Sequence, residues 1–401
     1  MNKTILSKLF TFLRTHFRTL ILLTVPIVLL NLSIQTAQAH AYSASYTTLN
    51  LTKSQTKMTY GIDEVSVIEL AGGDLNKDGM LDQEEFEGIK NKIVSIINDH
   101  VILKIDGQQQ DWFKIETINL NRRGDATQLQ LEALLPAVTV SQSISLTDNL
   151  YMNDKNANYV DLVKINYGDQ NSTAALQGNN RNWSMILTEN DLAGSQSNET
   201  NSKMDQQHQP KKTAEPTSNS TSGWLSFLQL GMNHILSGYD HLLFLLSLLI
   251  ARQSFKQFAK VITAFTIAHS LTLTLTVLGI ISIPANFVEP AIALSICYVA
   301  LENIFRKTVT YRWILTFLFG LIHGMGFADI LTEMNIPKSE LAIDLASFNI
   351  GIELIQLLIV IILLPLLALL HRSKISRKTI ISVSSVAFLL GGIWLVERLL
   401  T

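Results

Sequence analysis

The sequence predicts a multidomain protein: an exported β-rich domain with a single EF-hand-like loop and helix, followed by an all-α six-helix transmembrane bundle. Three observations carry this. The hydrophobic share is 47% of 401 residues, but it is concentrated after about residue 223, whereas residues 40–222 are rich in Asn, Asp, Gln, Ser and Thr. Two solvents are therefore implied. A loop of alternating oxygen donors sits in the polar part, and basic residues in the apolar part fall in alternate connections only.

The N-terminus opens with Lys3, Lys8, Arg14 and Arg18, then the apolar core "LILLTVPIVLLNL" and the small-residue sequence "AQA". That order reads as a secretory signal peptide over 1–39, removed to leave a mature chain beginning at His40. The amine and imidazole of His40 together make a chelating pair. Cys297 is the only cysteine, so no intramolecular disulfide forms and stability rests on other interactions. A net charge of −2 shows no basic excess, and no nucleic-acid partner is expected.

Residues 40–190 contain runs with strand character: "VILKIDG", "WFKIETINLN", "TQLQLEALL", "VTVSQSISL", "YVDLVKINY" and "NWSMILT", separated by Gly, Asn and Asp turns. A β-sandwich-like module is expected. Within it, Phe86, Ile89, Ile93 and Ile97 recur at spacings of three and four, one apolar face of a helix. Residues 191–222 have almost no apolar content and read as a disordered linker.

Between residues 74 and 85 the chain reads "DLNKDGMLDQEE". Asp74, Asn76, Asp78, the Met80 carbonyl, Asp82 and Glu85 occupy positions 1, 3, 5, 7, 9 and 12 of an EF-hand loop, with Gly79 at the sharp turn. The pattern predicts a calcium site with Glu85 closing it in bidentate fashion. No second loop is evident, and a weak structural site is expected.

Six apolar segments follow, near 225–250, 260–281, 287–305, 313–331, 346–370 and 379–399, each about long enough for a hydrocarbon core of roughly 30 Å. Arg252, Lys256 and Lys260 follow the first, Arg306, Lys307 and Arg312 the third, and Arg372, Lys374, Arg377 and Lys378 the fifth. The alternate connections hold Lys338 as their only base. The bias of basic residues toward the inside places the N-terminal domain and the C-terminus outside, in agreement with the signal peptide.

Ionisable groups interrupt these segments. His234, Asp240 and His241 lie in the first, His269 in the second, Glu302 in the third, His323 in the fourth, and Asn349 and Glu353 in the fifth. Counted from the predicted helix starts, His234, His269 and His323 lie about 15 Å in, near the bilayer midplane. Such groups cost roughly 3 kcal/mol or more at that depth and mark pathways or partners. Imidazoles with a few oxygens suit nickel, cobalt or zinc better than calcium or magnesium. His234 and His241 share a helix face, but Asp240 points about 100° away. Either a kink near Gly238 or a supporting role for Asp240 is needed.

A proton relay uses similar groups, and a membrane-anchored, calcium-dependent binding module would use the spans as an anchor only. The first span lacks the H-E-x-x-H pattern of a zinc hydrolase, and no glycine-rich phosphate loop is present, so the chain is read as a non-enzyme.

The segments "HILSGYDH", "FTIAHSLTL", "VEPAIALSICYVALEN", "GLIHGMGFA" and "FNIGIELIQL" closely resemble the HupE/UreJ family of membrane permeases. The resemblance covers essentially all of 223–401. It implies nickel or cobalt as transported ion, and places His234, Asp240, His241, His269, His323 and Glu353 on the metal path. The exported calcium-loop domain looks like that of longer relatives. One position departs: the family's first motif commonly has proline directly after the first histidine, where this chain has Ile235. The lipid bilayer and a divalent ion are the expected partners, and a homo-oligomer is compatible with the sequence.

Overall fold

The computed structural model describes residues 43–110, 114–123, 126–154, 157–168, 170–188, 223–251, 253–306, 311–334, 336–372 and 376–400. The signal segment, His40 and the linker lie outside these residues. The chain forms two compact units, one of residues 41–230 with 333–348 and one of 231–332 with 349–401.

The first unit is built on β1 (Ser43–Leu51), β2 (Thr56–Asp63), α1 (Glu64–Ala71), α2 (Gln83–His100), β3 (Val101–Ile105), β4 (Gln108–Gln110), β5 (Lys114–Arg123), β6 (Ala126–Leu135), β7 (Ser143–Asp148), β8 (Tyr159–Tyr167), β9 (Gln170–Gln177) and β10 (Asn182–Ile186). One sheet runs β5-β6-β2-β1-β8-β9 and the other β10-β7-β3-β4. Neighbours are antiparallel except β1 and β8, which pair parallel. Leu49, Met58 and Val163 from the larger sheet share one core with Leu103, Ile144 and Leu146 from the smaller.

Helix α2 closes that core with the residues its periodicity singles out: Phe86, Ile89, Ile93 and Ile97 are all buried. Its start is set by Asp82, whose Oδ1 accepts from the Glu85 amide at 2.8 Å while Glu85 Oε2 accepts from the Asp82 amide at 3.0 Å. This reciprocal cap satisfies two otherwise orphaned amides.

The strands that sequence patterning does not reveal are β1, β2, β4 and β9, and the helix it misses is α1. In β1 the reason is physical. Ser45 and Thr47 are fully buried, so the first inward positions carry hydroxyls and the apolar alternation is reduced to Leu49 and Leu51. The hydroxyls face a buried carboxylate pair. Thr47 Oγ1 donates to Asp161 at 2.9 and 3.0 Å, the Leu150 amide donates to Asp148 Oδ1 at 2.8 Å, and the Tyr159 hydroxyl donates to Asp148 Oδ2. Arg181 lies over the Tyr159 ring, 5.1 Å from its centroid. Burial raises the Asp148 carboxyl to about 6, and burial next to Asp148 raises Asp161 well above the ordinary range.

The second unit is helical: α3 (Gly223–Ser237), α4 (Tyr239–Leu249), α5 (Phe255–Val277), α6 (Ala285–Phe305), α7 (Arg312–His323), α8 (Ala328–Glu333), α9 (Lys338–His371) and α10 (Ser376–Leu400). The beginnings of α3 and α9 group with the strands rather than with this unit. Among the described residues, five stretches are long and apolar enough to cross a membrane: 255–277, 285–305, 312–333, 339–370 and 376–400. The first predicted span, 225–250, is instead two helices, α3 and α4, that meet at Gly238. The second predicted span begins earlier than its apolar run, because Ser254 and Gln257 form a reciprocal cap before Phe255.

The buried carboxylates make the β unit sensitive to pH. Folding raises the Asp148 value above its unfolded 3.8, so the folded state holds that proton more tightly. Its contribution is complete below about pH 4 and is lost as pH rises through about 6, on the order of 3 kcal/mol for two pKa units. Hydrogen exchange at the β1 and β8 amides, corrected for intrinsic rates, should show protection falling across that window. Asp148→Asn should flatten the slope.

Candidate metal centre

The centre is assembled by one break and one close approach. At Gly238, α3 ends with the Gly238 amide bonded to the His234 carbonyl at 3.0 Å, and α4 restarts at Tyr239. A methyl group at position 238 would lie 2.7 Å from the His234 carbonyl oxygen, 3.0 Å from His241 Nδ1 and 3.2 Å from Asp240 Oδ1. The chain therefore turns into space that only glycine leaves open. This is the expected kink, made without the proline at 235.

The close approach joins α5 to α7. A Cβ at Gly320 would sit 2.7 Å from the Phe265 carbonyl, and one at Gly324 2.3 Å from the His269 carbonyl. Two glycines four apart let the backbones touch, as small residues do between membrane helices. His269 and His323 are the side chains that this contact carries toward the α3–α4 break.

The result is a cluster of imidazoles. The His234 and His241 ring centroids are 4.6 Å apart, His234 and His269 6.0 Å, His241 and His269 6.1 Å, and His241 and His323 5.2 Å. All four are buried, and Phe244, Phe265 and Phe327 pack against them. One ligand atom each from His234, His241 and His269 lies within 4.8 Å of the others. Two nitrogens sharing one ion at about 2.1 Å can be at most roughly 4.2 Å apart, so small side-chain rotations close the set.

Two of the rings are already oriented. His241 Nδ1 is 2.9 Å from Asp240 Oδ1, and His323 Nδ1 is 2.9 Å from the Phe319 carbonyl. Each acceptor holds a proton on Nδ1, which keeps Nε2 as the nitrogen available to a ligand. His241 Nε2, His323 Nε2 and both nitrogens of His269 are buried without a hydrogen-bond partner among the described residues. Asp240 thus supports His241. Gln356 on α9 is also buried here, accepting from Thr266 Oγ1 at 3.0 Å and lining a cavity of about 10 Å³ with Ile235, His241, Phe244 and Phe265.

The other predicted residues stand elsewhere. Glu302 pairs with Arg312 at 3.3 Å and Arg306 at 3.4 Å, while Arg312 also donates to Asn303 Oδ1 at 2.7 Å; this network ties the end of α6 to the start of α7. Glu353 is exposed on α9 and Asn349 half-buried. His269 lies fourteen residues from Phe255, about 21 Å along α5.

Sequence reasoning missed Arg398. Its guanidinium Nη2 is 3.8 Å from Asp240 Oδ2 and its Nε 3.7 Å from Glu289 Oε2. An arginine inside an apolar C-terminal helix was the available signal.

The predicted calcium residues lie between α1 and α2. Asp74 Oδ1 and Oδ2 accept from the amides of Asp78 at 3.2 Å and Gly79 at 3.0 Å. Asn76 Oδ1 accepts from Asp78 at 2.9 Å, and Asp78 Oδ1 from the Met80 amide at 2.9 Å. Glu85 Oε1 accepts from Leu75 at 2.8 Å, which folds the twelfth position back across the loop. Leu81 is buried, its amide donating to Glu64 Oε1 at 2.7 Å and its carbonyl accepting from Arg122 at 2.8 Å. Among the described residues, only the membrane histidines form a three-residue group with ligand atoms within 4.8 Å; the loop carboxylates are turned to backbone amides.

Membrane-length helices with a buried imidazole cluster define a helical integral-membrane protein. Residues 209–398 match the family model described as HupE / UreJ protein. The family suggests a membrane protein related to nickel or cobalt transport. No protein with a curated description matches the chain.

Gly324→Ala should separate α5 from α7. Maleimide labelling of Cys297, the only cysteine and buried, should accelerate and detergent-solubilised protein should melt several degrees lower, whereas Gly392→Ala, where a Cβ meets nothing within 4 Å, should leave both unchanged.

Proposed function

We propose that the chain is a permease that moves a divalent transition metal, nickel or cobalt first, through a six-span membrane domain in which α3 and α4 together form the first span. The observation that supports it most is that His234, His241 and His269, all buried, bring one ligand atom each within 4.8 Å of the others, with His241 Nδ1 held by Asp240. Imidazole nitrogens are ligands for borderline metals, and a purely packing role leaves such buried nitrogens unsatisfied at a cost of about 1–3 kcal/mol each. An anchor has no use for that arrangement. On the topology read from the loop charges, the N-terminal domain and the C-terminus face the exterior, and the metal, as cargo, reaches the cluster from that side.

The β unit completes the proposal as a calcium-binding exported domain. Asp74, Asn76, Asp78, the Met80 carbonyl, Asp82 and Glu85 would ligate the ion, with backbone amides giving up the carboxylates. The cap from Glu64 and Arg122 at Leu81 supports a loop that folds without a second one beside it. The role is structural, a staple between α1 and α2.

His241→Ala combined with His269→Ala should reduce uptake of radioactive nickel and cobalt by transport-deficient cells to background, at unchanged membrane abundance. Wild-type accumulation by that variant would reject the permease.

For the loop, millimolar calcium should stabilise the β unit by roughly 1–2 kcal/mol, as expected for an affinity near 10⁻⁴ M. Glu85→Gln should abolish the increment, read as calcium-dependent exchange protection of α2.

A further inference from the structure

Asp240 divides its two oxygens between two partners. Oδ1 accepts from His241 Nδ1 at 2.9 Å and from the His241 amide at 2.7 Å. Oδ2 faces Arg398 Nη2 at 3.8 Å. The guanidinium comes from the last turns of α10 and reaches equally to α6, where its Nε is 3.7 Å from Glu289 Oε2 and its Nη1 donates to the Glu289 carbonyl at 3.2 Å. The Arg398 side chain is 11% exposed and Asp240 15%, whereas Glu289 is 49% exposed.

The distances are informative. A locked arginine–carboxylate pair has N···O contacts of about 2.7–2.9 Å, commonly two at once. Arg398 makes neither contact that short, and stands between a buried carboxylate and a half-exposed one. Its backbone bond to Glu289 anchors it while its charge is shared. A buried Asp240 without a countercharge would cost several kcal/mol, so some cation is required while the histidines hold no ion.

We propose that Arg398 is a tethered counter-ion that satisfies Asp240 in the metal-free state and is displaced toward Glu289 when a divalent ion binds the histidines. The proposal rests on reading the cluster as a metal site. An ion on His241 brings positive charge to the ring that Asp240 already supports, so the carboxylate no longer needs Arg398. The two cations then repel, and Glu289 receives the arginine. Net charge around the site changes less than the ion's own charge. The ion is held more loosely than an unopposed Asp240–His241 pair would hold it, as a pathway requires if the ion is also to leave. Arg398 is therefore a positioning residue acting through Asp240.

Opposite variants test this. Purified full-length protein in nanodiscs is titrated with nickel or cobalt alone, and uptake is followed in cells. Arg398→Gln leaves Asp240 wholly available to His241, so affinity should rise about tenfold, the scale on which partners of a ligating imidazole tune affinity, while maximal uptake rate falls. Glu289→Gln removes the arginine's alternative partner and should weaken binding severalfold. Arg398→Lys keeps the charge and should lie near wild type. A structural staple would move Arg398→Gln and Glu289→Gln in the same direction. Unchanged or weaker binding by Arg398→Gln, with Cys297 still protected, overturns the proposal; if that variant fails to fold, unchanged or tighter binding by Glu289→Gln does so. A wild-type chain that binds neither metal overturns the reading of the site and this proposal with it, whereas wild-type binding with variants that do not diverge overturns this proposal alone.

Discussion

The hydrogen bond between neighbouring residues, Asp240 Oδ1 and His241 Nδ1, is the interaction on which the membrane centre depends. On an uninterrupted helix these side chains diverge by about 100°. Here both lie in the first turn of α4, which begins one residue after α3 stops at Gly238, in a gap where a methyl group would collide with the His234 carbonyl, and the Asp240 carboxylate reaches its neighbour's ring. From that bond follow the tautomer of His241, the direction of its Nε2 and the need for a cation at the far oxygen of Asp240. The glycine pair on α7 then has a purpose: it brings His269 and His323 to where the oriented ring looks.

The chain buries carboxylates by two different routes. In the β unit, Asp148 and Asp161 are surrounded by hydroxyls and an amide from Thr47, Tyr159 and Leu150. Burial lets those groups keep their protons above the ordinary range, while the neutral donors partly oppose it by favouring the anion. Asp240 is placed beside an imidazole and an arginine, which stabilise it as an anion. Burial alone does not decide what an aspartate does; the charge of its donors does.

What the sequence made legible follows the same physics. Helix α2 was readable because Phe86, Ile89, Ile93 and Ile97 recur at helical spacing against polar neighbours. Strand β1 was not, because two of its inward positions are Ser45 and Thr47. The histidines were readable because imidazole is rare in lipid-facing sequence. The roles of α9 were harder: the helix is apolar on every side, so no periodicity marks which face turns inward, and Gln356 is buried while Glu353 is exposed. Arg398 sits near the end of an apolar helix, where an arginine reads as an interfacial anchor; only the fold places it against Asp240 and Glu289.

The break at Gly238 also has a field. Two half-helices meet there head to tail, with the carboxyl end of α3 carrying partial negative charge and the amino end of α4 partial positive charge, each about half an elementary charge. The amino end falls on Asp240, in the first turn of α4, and the carboxyl end on His234, in the last turn of α3. A continuous span would bury that dipole inside itself. Interrupted, it draws an anion to one side of the gap and a cation to the other, so the backbone itself sorts charge across a single residue before any side chain does.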